Sequence, residues 1–432
     1  MTSSAKRLAE MLDALGRVTD EPGRLTRTFL SPAMQRVNAL VGGWMKETGL
    51  KVRVDSVGNL IGRLEADCRA GSPDPAADTV RHPFGGVRRP RPTKTLLLGS
   101  HLDTVRDAGK FDGPLGVVLP IVALAELRRR GGKLPFAVEV LGFSEEEGVR
   151  FAGAYLGSKG YCGKLGARDL ALRDAGGIGV GEALRRYNGR KFALPQPAHR
   201  RSELLGYVEV HIEQGPVLER KGLAVGVVSA IAGQSRFRLT WTGQAGHAGT
   251  TPMALRRDAL AGAAEFAVGV ETVALRTPGL VATIGSLTIS PGAANVIPGE
   301  VVHTLDVRHA TDAVRRAALF QLGRLARRIA RSRRLGVAWQ RTQDDGAVMC
   351  SPSLTAQLAR SVKAVQGRSV ALVSGAGHDG VVLSALTPVA MLFVRCRGGL
   401  SHHPDEYASP ADLGIALRVT VDFLERLAAE HS

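Results

Sequence analysis

Cysteine is scarce in this sequence, and its four copies, Cys68, Cys162, Cys350 and Cys396, are scattered along 432 residues. No C-x-x-C motif occurs, so neither a disulfide framework nor a thiolate zinc site is indicated, and we expect a reducing, cytoplasmic environment. Long apolar runs are also missing. The longest, LGVVLPIVALAEL at 115–127, is too short to span a bilayer and contains a proline. The N-terminal stretch carries charges within a helical pattern, unlike a signal peptide, so we expect no membrane partner.

Aromatic and acidic residues are also few. Aromatic residues make up 5% of the chain, and 40 Asp and Glu residues face 57 Lys and Arg residues, which gives a formal net charge of +17. Basic proteins often bind nucleic acids, but here the arginines are spread widely and no aromatic residues lie between them to stack on bases. We therefore predict a solvated basic surface and no nucleic-acid partner. Such a surface would attract an anionic substrate.

The length and the order of the predicted elements indicate two domains. In the first half, buried apolar strands alternate with helices, which predicts an α/β domain with a largely parallel sheet covered on both faces. A segment rich in Pro, Gly and Arg at 68–94 interrupts the pattern and is interpreted as a surface insertion. The predicted elements are a hairpin at 51–64, strands at 95–100 and 136–144, and helices near 115–130 and from about 150.

From about residue 217 the pattern changes to the order β-α-β-β-α-β. This order is the ferredoxin-like arrangement of a small separate domain. The strands are predicted at 235–243, 280–290, 300–309 and 336–343, and the helices at 258–275 and 311–333. The α/β pattern then returns with a strand at 389–395 and a closing helix at 410–430. We therefore predict one domain from 1–216 and 346–432, with a second domain inserted at 217–345.

Ligand-type side chains follow several of these strands where each strand ends, at one edge of the predicted sheet. Asp103, two residues after His101, is placed to hold the second nitrogen of that imidazole. Each group alone has an ordinary explanation, since a His-x-Asp loop can be surface decoration and an acidic triplet can begin a helix. Together they predict a metal site of undefined chemistry. The groups are His101, Asp103 and Asp112 at 99–117, Glu145, Glu146 and Glu147 in SEEEG, His211, Glu213 and Gln214 in YVEVHIEQGP, and His402 and His403 in RGGLSHHPDEY.

The longer motifs that contain these residues resemble the amidase/hydantoinase–carbamoylase family. Its members include N-carbamoyl-L-amino acid hydrolases, allantoate amidohydrolases and β-ureidopropionases, within the dinuclear metal aminoacylase/carboxypeptidase superfamily. The resemblance runs from about residue 5 to 430 and implies an α/β metallohydrolase domain with an inserted ferredoxin-like lid and dimerisation domain. The insertion at 68–94 is longer than this family usually carries. The motifs are GSHLDTV, GKFDGPLGV, FSEEEGVRF, HIEQGPVLE, GQAGHAGTTPM, AANVIPG, DVRH, SGAGHDG and SHHPDEY.

The resemblance implies two divalent metal ions, for which histidine and carboxylate ligands suit zinc as well as manganese or cobalt. Glu146 would be the catalytic base that takes a proton from the attacking water and passes it to the leaving nitrogen. Glu145 has no implied role and is expected to be a solvated neighbour. By the same resemblance, His101 and His211 would hold one ion, Glu147 and His402 the other, and Asp112 would bridge the pair.

The substrate contacts are also implied by the resemblance. His247 would stabilise the oxyanion from the partner subunit, which makes a homodimer part of the active site. Asn295 and Arg308 would hold the substrate carboxylate, for which a forked guanidinium suits bidentate contact. Gln214 would be a polar substrate contact. His378, and Asp379 beside it, match a motif near the site, and we expect His378 to contact the substrate.

The implied reaction is hydrolysis of the carbamoyl C–N bond of an N-carbamoyl-L-amino acid or of allantoate. Two alternatives stay open: an N-acyl amino acid amidohydrolase or dipeptidase of the same superfamily, and a non-catalytic basic binding protein that keeps the fold. The complete ligand set argues against the second. The sequence does not choose among allantoate, N-carbamoyl α-amino acids and β-ureidopropionate, because the shape of the side-chain pocket decides that choice.

Overall fold

The computed structural model describes residues 3–67, 93–189 and 192–432. Apart from its last two residues, the insertion predicted at 68–94 lies outside the described residues. The chain divides into two compact units. The large unit comprises Met1–Ser229, Cys350–Leu372 and His378–Ser432, and the inserted unit comprises Ala230–Met349 and Val373–Gly377.

The helices and strands are labelled here in chain order. The strands are β1 (Lys51–Val54), β2 (Leu60–Leu64), β3 (Thr95–His101), β4 (Ala137–Phe143), β5 (Leu204–Ile212), β6 (Val225–Ile231), β7 (Gly233–Thr242), β8 (Gly246–His247), β9 (Val281–Thr283), β10 (Leu287–Ser290), β11 (Val296–Ile297), β12 (Glu300–His309), β13 (Gly336–Asp345), β14 (Val348–Met349), β15 (Ala371–Ser374) and β16 (Val389–Val394). The helices are α1 (Ser3–Gly16), α2 (Pro32–Glu47), α3 (Pro114–Arg129), α4 (Leu156–Tyr161), α5 (Ala167–Ala171), α6 (Val180–Tyr187), α7 (Val217–Arg220), α8 (Ala259–Arg276), α9 (Asp312–Arg333), α10 (Pro352–Gln366), α11 (Gly380–Leu383) and α12 (Pro410–His431). None of these described helices combines the length and the apolar character that crossing a membrane requires.

The large unit is built on a sheet whose strands lie in the order β1-β2-β4-β3-β5-β16-β6, and β14 and β15 also pair with β6. The four strands from β4 to β16 are parallel, and the pairs on either side of them are antiparallel. β3, β4 and β16 are mainly apolar and buried along their whole length, as expected of parallel strands covered on both faces. The largely parallel α/β sheet predicted from the sequence is confirmed.

Helices cover both faces of this sheet, as the alternation of side chains along β5 shows. Val208 and Val210 join the apolar core that α1, α3, α10 and α12 build on one face. Glu209 points to the other face, where its carboxylate accepts a hydrogen bond from the backbone N–H of Gly380 at the start of α11. β3 has β4 on one side and β5 on the other, so the chain connections diverge at the carboxyl end of β3, which is where open α/β sheets bind ligands.

The inserted unit is ferredoxin-like, as predicted. Its main sheet has the order β10-β12-β7-β13, with β9 also pairing with β12, and every pairing is antiparallel. α8 and α9 pack on one face around a core that includes Trp241, Phe266 and Leu322. The single strand predicted at 280–290 is two short strands, β9 and β10, separated by a segment that includes Gly285.

The predicted domain boundary at residue 217 is wrong, because the large unit continues to Ser229. α7 and most of β6 belong to the large unit, where β6 pairs with β16. The apolar run VGVVSAI in β6 is buried in the large sheet, so it belongs to the core that precedes the inserted unit. The chain also returns to the large unit differently from the prediction. It re-enters at Cys350, and the segment Val373–Gly377 belongs to the inserted unit.

We predict that Gly116→Ala destabilises the protein, because α3 packs on the sheet without room for a methyl group. A Cβ at Gly116 would lie 2.3 Å from the carbonyl oxygen of Val210 and 2.6 Å from the Cβ of Ser100. Overpacking of this kind costs about 1–3 kcal/mol, so the midpoint of thermal unfolding should fall. The matched control is Gly43→Ala in α2, where no atom lies within 4 Å and removal of a helical glycine should stabilise by about 0.5–1 kcal/mol. Equal midpoints for the two variants would contradict this packing.

Candidate metal centre

The side chains that the sequence places at strand ends meet at the carboxyl edge of the central sheet. His101 ends β3, Glu146 and Glu147 follow β4, His211 lies near the end of β5, and His402 follows β16. Asp112 is supplied by the loop between β3 and α3. The parallel direction of the four central strands brings these residues together from positions about 300 residues apart in the chain.

Asp112 lies at the centre of the cluster, and its two carboxylate oxygens face different histidines. Its Oδ1 is 3.4 Å from His101 Nε2 and 3.2 Å from His211 Nε2. Its Oδ2 is 3.4 Å from His402 Nε2, which also lies 3.5 Å from Glu147 Oε1. Two ligand sets therefore adjoin and share one carboxylate.

The donor atoms fit divalent metal ions. His211 Nδ1 lies 2.9 Å from the carbonyl oxygen of Ile212, which places a proton on Nδ1 and leaves Nε2 as an acceptor. That Nε2 is buried and has no hydrogen-bond partner among the described residues, as a metal-ligating nitrogen requires. Three sets of residues each offer donor atoms within 4.8 Å of one another: His101, Asp112 and His211; Asp112, Glu147 and His402; and His101, Glu146 and Glu147.

The charges in the cluster also call for a cation. Burial raises the pKa of Glu146 well above its usual range, and the neighbouring charge of Glu147 adds to this effect. Burial and the charge of Asp112 raise the pKa of Glu147 to about 7. The hydrogen bond to Asp112 raises the pKa of His402 to about 9. A divalent cation would displace these protons, so metal binding here should be coupled to proton release.

Asp103 organises the two glutamates. Its Oδ1 accepts a hydrogen bond from the backbone N–H of Glu146 at 3.1 Å, and its Oδ2 accepts one from Glu147 at 3.2 Å. His101 Nδ1 lies 3.4 Å from Asp103 Oδ1 and 3.1 Å from the Asp103 carbonyl oxygen. Asp103 therefore lies against the imidazole and orients the groups around it, so its geometry is that of a positioning residue, and the catalytic part predicted for it stays a prediction.

Glu145 is fully buried, so its prediction as a solvated neighbour is wrong. Its carboxylate accepts a hydrogen bond from the backbone N–H of Gly148 at 2.6 Å, and its carbonyl oxygen accepts one from Gly157. Burial, together with the charge of Asp103, raises the pKa of Glu145 well above its usual range. The triplet does not begin a helix. It forms a turn that directs all three carboxylates inward.

Comparison with known proteins agrees with this geometry. Residues 97–426 match the model of peptidase family M20/M25/M40. The chain belongs to this family. Among curated relatives, the allantoate deiminase of Arabidopsis thaliana is 41% identical over 96% of this chain and 81% of that protein. The N-carbamoyl-L-amino acid amidohydrolase of Geobacillus stearothermophilus is 37% identical over 98% of each.

The solved structures include an amidase of the hydantoinase/carbamoylase family from Burkholderia multivorans. It is 31% identical to this chain, with a TM-score of 0.86 and coverage of 98% of each chain. The resemblance predicted from the sequence motifs is therefore confirmed at the level of the family.

Glu406 and Ser401 hold Asp112 in this M20 chain, and the sequence motifs did not assign either residue. Glu406 Oε1 accepts hydrogen bonds from the backbone N–H groups of Phe111 and Asp112 at 2.9 and 3.0 Å. Ser401 Oγ lies 2.6 Å from Asp112 Oδ2 and 3.0 Å from Glu406 Oε2. Burial and the charge of Asp112 raise the pKa of Glu406 to about 7. The sequence feature that points to Glu406 is the glutamate of SHHPDEY, four residues beyond His402.

Two residues expected to contact substrate lie against the cluster. Gln214 Nε2 donates a hydrogen bond to Asp112 Oδ2 at 2.7 Å and lies 3.4 Å from His402 Nε2, so its role toward substrate stays a prediction. His378 is 1% exposed, and its ring packs edge-on against that of His211 at 4.6 Å. The ring of His378 therefore supports that of His211, and its contact with a substrate stays a prediction.

Two further carboxyl groups lie behind the ligands. Glu209 accepts a hydrogen bond from Ser100 Oγ at 2.8 Å, in addition to the one from Gly380, and burial raises its pKa. Asp379 is fully buried, and its burial and the charge of Glu209 raise its pKa well above the usual range. A charged residue within the buried apolar run YVEVH was the signal that Glu209 belongs to the site.

His247, Asn295 and Arg308 lie in the inserted unit. β8 and β11 pair, and the backbone N–H of Ala248 donates to the carbonyl oxygen of Asn295, so His247 and Asn295 are neighbours. The Nδ1 of His247 accepts backbone N–H bonds from Gly249 and Thr250 at 3.0 and 3.2 Å. This fixes the tautomer with the proton on Nε2, where the exposed ring offers a donor.

The guanidinium of Arg308 is held by Asp306 of its own strand and by the backbone of Gly375. Its Nε and Nη2 each donate to the carboxylate of Asp306 at 2.9 Å, and its Nη1 donates to the carbonyl oxygen of Gly375 at 2.6 Å. Arg236 pairs with the same carboxylate at 2.7 Å. The guanidinium of Arg308 is therefore fixed by these partners, and its contact with a substrate carboxylate stays a prediction.

We predict that Glu406→Ala weakens metal binding about 10- to 100-fold, the range usual for loss of a residue that supports a metal ligand. The variant leaves the N–H groups of Phe111 and Asp112 without their acceptor, so the backbone of Asp112 is less firmly held. The matched variant Glu406→Gln keeps an acceptor for both groups and should bind metal nearly as the parent does. The metal affinity of both variants is measured by competition with a chromogenic chelator, once for zinc and once for manganese. Affinity of the alanine variant within twofold of the parent would show that Glu406 does not support the centre.

Proposed function

We propose that this chain hydrolyses the carbamoyl C–N bond of a small ureido carboxylate, either an N-carbamoyl-L-amino acid or allantoate. The observation that carries the proposal is the position of Asp112, whose two oxygens face two adjoining sets of ligands. The names of the relatives from Arabidopsis thaliana and Geobacillus stearothermophilus support the bond that is cleaved. The products would be ammonia, carbon dioxide and an amino acid, or the corresponding ureidoglycine-type product from allantoate.

Two divalent ions, zinc or else manganese or cobalt, would be held by the two sets that share Asp112. When bound, such ions act as Lewis acids and make an attacking water more acidic. Glu146 would take the proton of that water at its carboxylate and return it to the leaving nitrogen. Its backbone is fixed by Asp103, and burial excludes competing water from its carboxylate.

The inserted unit would supply the contacts to the rest of the substrate. The Nε2–H of His247 is a donor of the kind that stabilises an oxygen as it gains negative charge. Arg308 and Asn295 would bind the substrate carboxylate. We include in the proposal that His247 acts in the active site of the partner subunit of a homodimer.

We also propose a reducing, cytoplasmic environment. The three cysteines in the described part of the chain, Cys162, Cys350 and Cys396, are buried and free. Burial raises the pKa of the thiols of Cys162 and Cys350 to about 12 and that of Cys396 to about 11. Such thiols are unreactive and stay reduced.

A substrate panel tests the reaction. We expect the metal-loaded enzyme to release ammonia from at least one of allantoate, N-carbamoyl-L-alanine and β-ureidopropionate, with kcat/KM at least ~10²-fold above that for N-acetyl-L-alanine or a dipeptide. Chelation should abolish the activity, and a divalent ion should restore it. Turnover of only the acetyl or peptide substrates would establish the alternative amidohydrolase or dipeptidase. No turnover at full metal content would indicate a non-catalytic protein.

A mixing experiment tests the shared site. Glu146→Gln should keep its metal but lose about 10²–10⁴-fold in kcat, and His247→Ala should also be nearly inactive. When the two variants exchange subunits, each hybrid dimer would contain one site with both defects and one with neither. Activity should then return to roughly a quarter of the parent value for random pairing of equal amounts. If mass spectrometry confirms exchange and no activity returns, His247 acts within its own chain.

A further inference from the structure

A cleft of about 540 Å³ opens in the large unit beside the loops that carry two of the metal ligands. We call it the α1 cleft. Its walls are the end of α1 with the turn Gly23–Leu25, the loop 107–110, and the segment 404–407 together with Arg397. The loop 107–110 ends two residues before Asp112, and the segment 404–407 begins two residues after His402.

Charged side chains of both signs line the α1 cleft, and three of them have no partner within the described ranges. The guanidinium groups of Arg17 and Arg24 form no ion pair or hydrogen bond within the described ranges, and neither does the carboxylate of Asp107. Arg397 is ordered by stacking over the ring of Tyr407 at 4.7 Å. Lys110 is already neutralised by Asp13. The cleft thus offers several guanidinium groups and a carboxylate to a ligand.

We propose that the α1 cleft is a regulatory site that binds a free α-amino acid. A carboxylate matches the forked guanidinium groups of Arg17 and Arg24, and an ammonium group matches the carboxylate of Asp107. A simple anion would be repelled by Asp107 and by the exposed carboxylate of Asp405. The volume lies within the range of about 300–1,000 Å³ that is usual for sites of small molecules.

The cleft is connected to the metal centre through Glu406, which forms part of its wall. The loop packs directly on this residue, since a Cβ at Gly109 would lie 2.3 Å from the Cβ of Glu406. Glu406 in turn accepts the backbone N–H bonds of Phe111 and Asp112. A ligand that holds the loop against Glu406 therefore stabilises the position of Asp112. By linkage, an amino acid in the cleft strengthens metal binding, and metal binding strengthens amino-acid binding by the same factor.

Calorimetric titration of the metal-loaded protein with L-alanine tests the binding. Propionate lacks the ammonium group and ethylamine lacks the carboxylate, so each should bind at least ~10-fold more weakly than alanine. The double variant Arg17→Ala, Arg24→Ala should lose the binding, whereas Arg316→Ala, Arg327→Ala, which removes two exposed arginines of the inserted unit, should keep it. Equal binding of propionate and alanine, or no effect of the cleft variant, would overturn the proposal.

Binding of alanine as a reaction product at the substrate site must be separated from binding in the cleft. The variant Arg308→Lys separates the two sites. If alanine binding is lost in Arg308→Lys and kept in the cleft variant, alanine binds at the substrate site, and the proposal is contradicted. Saturating alanine should also raise the metal affinity about fivefold or more in the parent and not in the cleft variant. An unchanged metal affinity would show that the cleft does not regulate the centre. Ammonia release without added amino acid should be unchanged in the cleft variant, so this test is independent of the reaction proposed above.

Discussion

Asp112 has to remain ionised, buried and fixed in orientation for the cluster to hold together, and the residues around it meet that requirement. Its oxygens face His101 and His211 on one side and His402 on the other, so a rotation of the carboxylate would disrupt both sets of ligands at once. Burial opposes its charge, but the histidines around it hold the pKa of Asp112 well below its usual range. The loop that carries it is therefore bound at both ends. Glu406 holds its backbone, and the close packing of α3 at Gly116 fixes the following helix.

The ligands reach Asp112 from four strands because those strands are parallel. In an antiparallel sheet, neighbouring strands end at opposite edges, and side chains that follow them would lie far apart. Here β4, β3, β5 and β16 all end at one edge, where short polar turns replace apolar strand residues. The cost of this arrangement is a concentration of carboxyl groups in a buried place. Three buried carboxyl groups lie in this region outside the candidate ligand sets, namely Asp103, Glu209 and Asp379. A divalent cation would balance the negative charge of this region.

The sequence predicted the parts of the site that depend on strand order, and it missed the parts that depend on burial. The positions of the ligands followed from apolar runs ending in His, Asp or Glu, and the ferredoxin-like unit followed from its alternating pattern. Glu145 was misjudged because a triplet of acids has the same pattern whether the turn directs it outward or inward. Glu406 was missed because its partners are backbone N–H groups nearly 300 residues away, so its place in SHHPDEY does not by itself reveal what it holds. The boundary at 217 was misplaced because β6 is an apolar strand whose sequence fits the core of either unit. Its pairing with β16 assigns it to the large unit.

The same device recurs in both units: a carboxylate orients several of the groups placed in the proposed site. Asp103 fixes the backbone of Glu146 and Glu147, Glu406 fixes Asp112, and in the inserted unit Asp306 fixes Arg308. A group held in this way does not have to reorganise when a ligand binds. The binding free energy is therefore not reduced by the entropy lost when a mobile side chain is ordered. In the large unit the supporting carboxylates also add negative charge, which strengthens the attraction for cations. In the inserted unit, Asp306 reduces the net charge that Arg308 presents. A carboxylate that binds there as proposed would depend on the directed N–H groups more than on charge, which favours selection by geometry over attraction of any anion.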